Sequence, residues 1–125
     1  MCIRDSLRDD PYVIEKGIDV DNMTEEMLVF EGTAREAAKA FPKSANVAAA
    51  VGYASLGLDK VEVKIYIDPK SDRNRHALRI ESGHGDITAE ASNVPFEINP
   101  RTSKLAAYSI LASVRGLAQP VVAGT

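Results

Sequence analysis

Cysteine, histidine, net positive charge and long apolar runs are all scarce in this sequence, and each scarcity removes a class of function. The single cysteine, Cys2, excludes an internal disulfide framework and a cysteine-based zinc site. Lys and Arg number 15 against 18 Asp and Glu, a net charge of -3, so the chain lacks the basic footprint that nucleic acid or an anionic membrane surface requires. No apolar run approaches membrane-spanning length. No charged-then-apolar leader opens the chain, and a cytoplasmic, reducing setting is expected. Gly-x-Gly-x-x-Gly after a strand, the P-loop, the Gly-x-Ser-x-Gly elbow and His-Glu-x-x-His are also missing. The chain therefore cannot build the usual dinucleotide-phosphate cradle by itself. Acidic residues are scattered rather than paired at an apolar site, which argues against glycosidase-type carboxylates.

What is present fits one domain, since 125 residues can bury one core but not two. Residues 1–6 carry no pattern, resemble a translated adapter and are read as a non-native leader; residues 7–125 are read as a single domain. Pro11–Gly17 is a short element stopped by glycine, and Asp19–Met23 a loop. Met27–Gly32 is a short apolar run predicted to be a buried strand. Thr33-Ala34-Arg35-Glu36 has the form of a capping box, opening a helix with a stripe of Ala34, Ala37, Ala38 and Phe41 that ends at Pro42. A second helix begins around Ser44–Asn46, with Val47, Ala50, Val51 and Ala54 as its expected buried face and Gly57 as its stop. Its small residues, Ala48 and Gly52 among them, permit close approach of a backbone or a flat ligand; tight packing is the commoner cause.

Val61, Val63, Ile65 and Ile67 alternate with Glu62, Lys64 and Tyr66, the period of a half-buried strand. A polar loop from Asp68 to Arg75 delivers His76 to the next strand, with the parity of Leu78 and Ile80. An imidazole there is either a half-buried histidine satisfied by backbone or a general acid or base tuned near neutrality. Gly83–Asp86 reads as a hairpin turn, placing His84 at an exposed tip, too far from His76 for a shared metal. No metal site is expected. The returning strand turns Ile87, Ala89 and Ala91 inward. After a polar loop, a helix is predicted from about Thr102 to Arg115, capped by Asn99 or Thr102 and apolar on two sides. Such a helix is expected to lie between the sheet and something else, a further domain or a second subunit. The fold class is α+β, an open mixed or antiparallel sheet with helices mainly on one face.

Several motifs in order resemble the L-aspartate dehydrogenase family. They are Val29-Phe30-Glu31-Gly32-Thr33-Ala34-Arg35-Glu36-Ala37, Pro42-Lys43-Ser44-Ala45-Asn46-Val47-Ala48-Ala49, Arg73-Asn74-Arg75-His76, and Asn93-Val94-Pro95 followed by Asn99-Pro100-Arg101-Thr102-Ser103. The likeness runs from about Pro11 to Leu117. It implies a C-terminal catalytic and dimerisation domain, without the N-terminal Rossmann domain and the strand that leads into this one. It implies oxidation of L-aspartate with NAD or NADP to iminoaspartate, then oxaloacetate and ammonia, feeding NAD biosynthesis, with the chain inactive alone. His76 falls on the family's active-site histidine and Asn46 on its cofactor-contacting asparagine; without the family, Asn46 reads as a plain N-cap. A substrate with two carboxylates needs cationic or hydroxyl donors, and Asn74, Arg75, Thr102 and Ser103 are the candidates, with Arg101 and Lys104 nearby. The family carries a small or apolar residue where Arg75 stands. The expected partners are a small-molecule substrate and a second copy in a homodimer, with no nucleic acid and no membrane. Two alternatives stand beside this reading: a non-catalytic dimerisation or ligand-binding module, and a dehydrogenase for another amino or dicarboxylic acid.

Overall fold

In the computed structural model, residue 7, residues 9–95, residue 97 and residues 103–118 are described. Helix α1 (Pro11–Glu15) leads to strand β1 (Met27–Thr33), helices α2 (Ala34–Ala40) and α3 (Asn46–Ala54), and strand β2 (Glu62–Ile67). Strands β3 (Asn74–Ser82) and β4 (Gly85–Asn93) and helix α4 (Lys104–Gly116) follow. Both strand pairs, β1 with β2 and β3 with β4, are antiparallel. The class is α+β, with antiparallel pairing throughout the described ladders.

The core lies where the sequence alternation is cleanest. β2 buries Val63, Ile65 and Ile67 and turns Glu62 and Lys64 out, as period two demands. β1 lies across it in register Phe30↔Ile65 and Gly32↔Val63, with a bulge between Leu28 and Phe30. That extra residue lets consecutive Val29 and Phe30 both reach the core. β1 is a half-exposed strand rather than the buried one its composition suggests: Met27 and Leu28 remain open to solvent, because only the stretch from Val29 onward lies over packed side chains.

The capping box forms as the residue spacing requires. Thr33 Oγ1 accepts the Glu36 N–H at 3.3 Å, and the Glu36 carboxylate accepts the Thr33 N–H at 2.8 Å. Donation to the Glu36 carboxylate from the Thr33 N–H, and from the Thr33 hydroxyl at 2.9 Å, holds the Glu36 carboxyl below its ordinary range. α2 turns Ala34 and Ala37 inward and ends at Phe41, whose ring is fully enclosed and meets Tyr12 and Phe30 at centroid distances of 4.7 and 5.6 Å.

Helix α3 packs one residue away from its expected stripe. Ala48 and Gly52 are buried, whereas Val47, Ala50 and Ala54 are not, and Val51 is only half-buried. The cause is closeness: a Cβ on Gly52 would sit 2.7 Å from Leu58 Cδ2 and 3.4 Å from Ala34 Cβ. The side of α3 that touches α2 is chosen by smallness rather than hydrophobicity, and this leaves Val47 and Val51 facing the β3–β4 hairpin.

The hairpin closes on Gly83-His84, with Ser82 opposite Gly85 and Gly85 at φ +145, a conformation that favours glycine. One face carries Asn74, His76, Leu78 and Ile80 opposite Asn93, Ala91, Ala89 and Ile87; the other carries Arg75, Ala77 and Arg79 opposite Ser92, Glu90 and Thr88. The apolar face is barely covered, and Ile87, expected inward, is 59 % exposed. α4 differs from expectation twice. Its cap is Ser103, whose hydroxyl accepts the Ala106 N–H at 3.1 Å, rather than Thr102 or Asn99, which lie outside the described residues. It also buries no side chain: Tyr108 and Ile110 are about two-thirds exposed, so neither stripe rests on the sheet.

Candidate active site

The approach to His76 is a tied loop. Ser71 is buried; its hydroxyl donates to the Arg73 carbonyl at 2.8 Å and accepts the Arg73 N–H at 3.3 Å. The Ser71 N–H reaches the Asp68 carbonyl at 3.2 Å, and the Asp68 carboxylate accepts the Lys70 N–H at 2.9 Å. This turn launches β3 at Asn74, two residues earlier than the alternation suggests, because Asn74 already pairs with Asn93 on β4. His76 is thus the third residue of its strand, half-buried and opposite Ala91.

His76 borders a cavity of about 280 Å³. Val47 and Val51 of α3 wall it on one side, and Leu78, Ala89 and Ala91 of the hairpin on the other. Nδ1 of His76 is enclosed and has no hydrogen-bond partner among the described residues. An unmet buried polar atom costs about 1–3 kcal/mol, so the hydrogen bonding of this ring is incomplete as it stands. Burial holds the imidazole pKa below its ordinary value of 6.5. At neutral pH the ring is therefore uncharged and can take up a proton.

The other candidates separate by face. Asn74 lies on the His76 face and is half-buried, whereas Arg75 is exposed on the opposite one. Thr102 and Arg101 lie outside the described residues. Ser103 is brought to the same end of the hairpin as Asn74: it bridges Pro95, and the Lys104 N–H donates to the Val94 carbonyl at 3.1 Å, just past Asn93. As a cap its hydroxyl accepts one hydrogen bond and keeps its own proton for donation. Lys104 pairs with Glu97 at 3.0 Å. His84 sits at the tip, beyond Ser82, which is itself six residues along β3 from His76, roughly 20 Å at strand spacing. Among the described residues no three His, Cys, Asp or Glu side chains gather as metal ligands.

Asn46 is not the plain cap it resembles. It is the first residue inside α3, its side chain is exposed, and the capping position belongs to Ala45, which makes no side-chain cap bond. Its neighbour Val47 lines the cavity with His76. Asn46 itself is not among the residues that line the cavity, and its exposed carboxamide is uncommitted; the residues for a dinucleotide's phosphates are not in this sequence. Asn93, which the sequence offered only as part of the Asn93-Val94-Pro95 motif, lies directly across from Asn74. Its signal was the strand register, which only the paired hairpin reveals.

Comparison with known proteins gives a consistent result. Residues 3–117 match the sequence profile of the family described as aspartate dehydrogenase, C-terminal. The chain is 42% identical over 115 residues to an L-aspartate dehydrogenase of Methanococcoides burtonii, covering 92% of this chain and 42% of that protein. It is 41% identical over 107 residues to an L-aspartate dehydrogenase of Acinetobacter baumannii, covering 86% and 41%. The crystal structure of an aspartate dehydrogenase from Thermotoga maritima superposes with a TM-score of 0.67 at 34% identity, over 90% of this chain and 43% of that one. The chain thus spans less than half the length of the relatives it matches. Across nearly all of its own length, it belongs to the aspartate dehydrogenase C-terminal family.

Proposed function

We propose that this chain is the substrate-binding and catalytic part of an NAD(P)-dependent L-aspartate dehydrogenase, with His76 as its general acid or base. The observation that carries the reading is the His76 imidazole, neutral by burial, at the border of a cavity, with an enclosed Nδ1 that has no hydrogen-bond partner among the described residues. It is supported by relatives that are themselves named L-aspartate dehydrogenase. His76 would take a proton from the substrate amine as the α-carbon is oxidised, or from the water that adds to the imine. Asn46 would hold the carboxamide of NAD or NADP, which when bound accepts the hydride. Asn74 and Ser103 are proposed to meet a substrate carboxylate; Arg75 is left out because it faces away. The phosphate cradle would come from residues outside this sequence, so these 125 residues alone would be inactive. The products, iminoaspartate and then oxaloacetate and ammonia, suit a cytoplasmic enzyme feeding NAD biosynthesis.

The test is His76→Ala in the protein extended to the length of its relatives. Turnover of L-aspartate should fall by about 10²–10⁴-fold, the usual worth of a positioned acid or base, while dinucleotide binding persists. Near-normal turnover would remove His76 from the chemistry. Turnover of other amino acids, compared with aspartate, separates this enzyme from a related dehydrogenase.

A second feature favours self-association. Ile80 and Ile87 of the hairpin and Tyr108, Ile110, Leu111 and Val114 of α4 are all exposed, more apolar surface than a monomer ordinarily leaves open. We assign these exposed apolar side chains to contact with a second copy of the chain in a homodimer.

A further inference from the structure

The register of the hairpin places two carboxamides face to face. Asn74 and Asn93 are direct cross-strand partners, both half-buried, on the face that carries His76. Directly opposed residues have Cβ atoms about 4.5–5.5 Å apart, so the two amides share one small volume. Neither makes a side-chain hydrogen bond to another described residue. Polar residues at strand ends are common on solvent faces, but here the solvent face is the other one, with Arg75 and Ser92 exposed. His76 lies two residues along the strand, about 7 Å from this pair. The ladder thus runs from a paired-amide end, past the imidazole, to the apolar cavity beyond.

We propose that Asn93 and Asn74 form a two-amide clamp for one carboxylate of the substrate, and that Asn93 is the specificity-determining member. The inference rests on the catalytic reading of His76. Each amide can donate one N–H to a carboxylate oxygen, and the pair accommodates both oxygens without a buried cation. The step from Asn93 to His76 matches a four-carbon dicarboxylate whose far carboxylate is clamped while its α-carbon lies against the imidazole. A monocarboxylic amino acid of the same length would leave the clamp unfilled.

The experiment compares Asn93→Asp and Asn93→Ala in the full-length enzyme, with Ser92→Ala on the opposite face as control. A hydrogen bond to a charged group is worth about 1.5–3 kcal/mol, so KM for L-aspartate should rise roughly 10–100-fold in Asn93→Ala. The rise should be larger in Asn93→Asp, where two carboxylates face each other; kcat and the melting temperature should hold, and Ser92→Ala should change nothing. Succinate binding by calorimetry, which needs no turnover, should weaken in parallel. Unchanged KM and unchanged succinate binding in Asn93→Asp would overturn the clamp. So would a parallel fall of kcat and melting temperature with succinate binding intact, the mark of a structural amide. Failure of the catalytic reading shows elsewhere, as normal turnover in His76→Ala while succinate binding still depends on Asn93.

Discussion

The two strand pairs of this chain have the same length scale and the same antiparallel pairing, yet one is closed and the other bare. β1 and β2 are sealed by α2, with Phe41, Ile65 and Ile67 fully enclosed between them. β3 and β4 alternate just as clearly, but among the described residues their apolar face borders a cavity shared with α3 and β2 rather than a packed layer, and α4 buries no side chain. The difference is not in hydrophobicity, since Ile80, Ile87, Ile110 and Leu111 would suit any core. It lies in what is available to cover them. The first half of the chain supplies its own lid, and the second half leaves a half-buried histidine beside a cavity and an apolar surface that no described residue covers.

The contrast is broken most forcefully in the closed half. Phe41→Ala removes a ring packed against Tyr12 and Phe30, and the cost should be about 3–5 kcal/mol. Chemical denaturation of the chain should show a much lower midpoint. A loss below about 1 kcal/mol would mean that the aromatic cluster is not the core.

The bare half should respond in the opposite way. Ile110→Asp, on α4, should leave monomer stability within about 0.5 kcal/mol, as surface substitutions do. It should instead shift a homodimer toward monomer, read by sedimentation across a concentration series. Loss of stability without loss of association would show that α4 is covered by its own chain after all.

Much of the closed half was legible in the residues themselves. The β2 alternation, the Thr33–Glu36 box and the Gly83-His84 turn depend on local rules, and local rules hold where neighbours in sequence are neighbours in space. The buried stripe of α3 was not legible, because Gly52 faces Leu58 and Ala34, and close approach reads as small size rather than as hydrophobicity. The exposure of Met27 and Leu28 depends on what happens to lie beyond them. For the site, parity alone placed His76 on the correct face. Asn93 could not be found that way, because its pairing with Asn74 is set by a hairpin register that a one-residue change of loop would reverse. Arg75, attractive by charge, is turned away by the same parity that turns His76 in.

The smallest effect sharpens the comparison through pH. Burial holds the His76 pKa below 6.5, so the unfolded chain binds a proton before the folded one does. Well above pH 6.5 both states are neutral at this residue and its share of stability is intact. As the pH falls from 6.5 through the depressed native value, the unfolded state gains protons that the native state refuses, and stability declines. One proton limits the slope to about 1.4 kcal/mol per pH unit. Unfolding curves of the wild type and His76→Gln, taken at steps below pH 7, should diverge in slope there and run parallel above it. Identical slopes would mean that the imidazole is solvated, and that the cavity beside it is open to water rather than reserved for a ligand. A His76-dependent slope would place the titration in the uncovered half, where the free energy spent on hiding a proton acceptor brings the native state no packing in return.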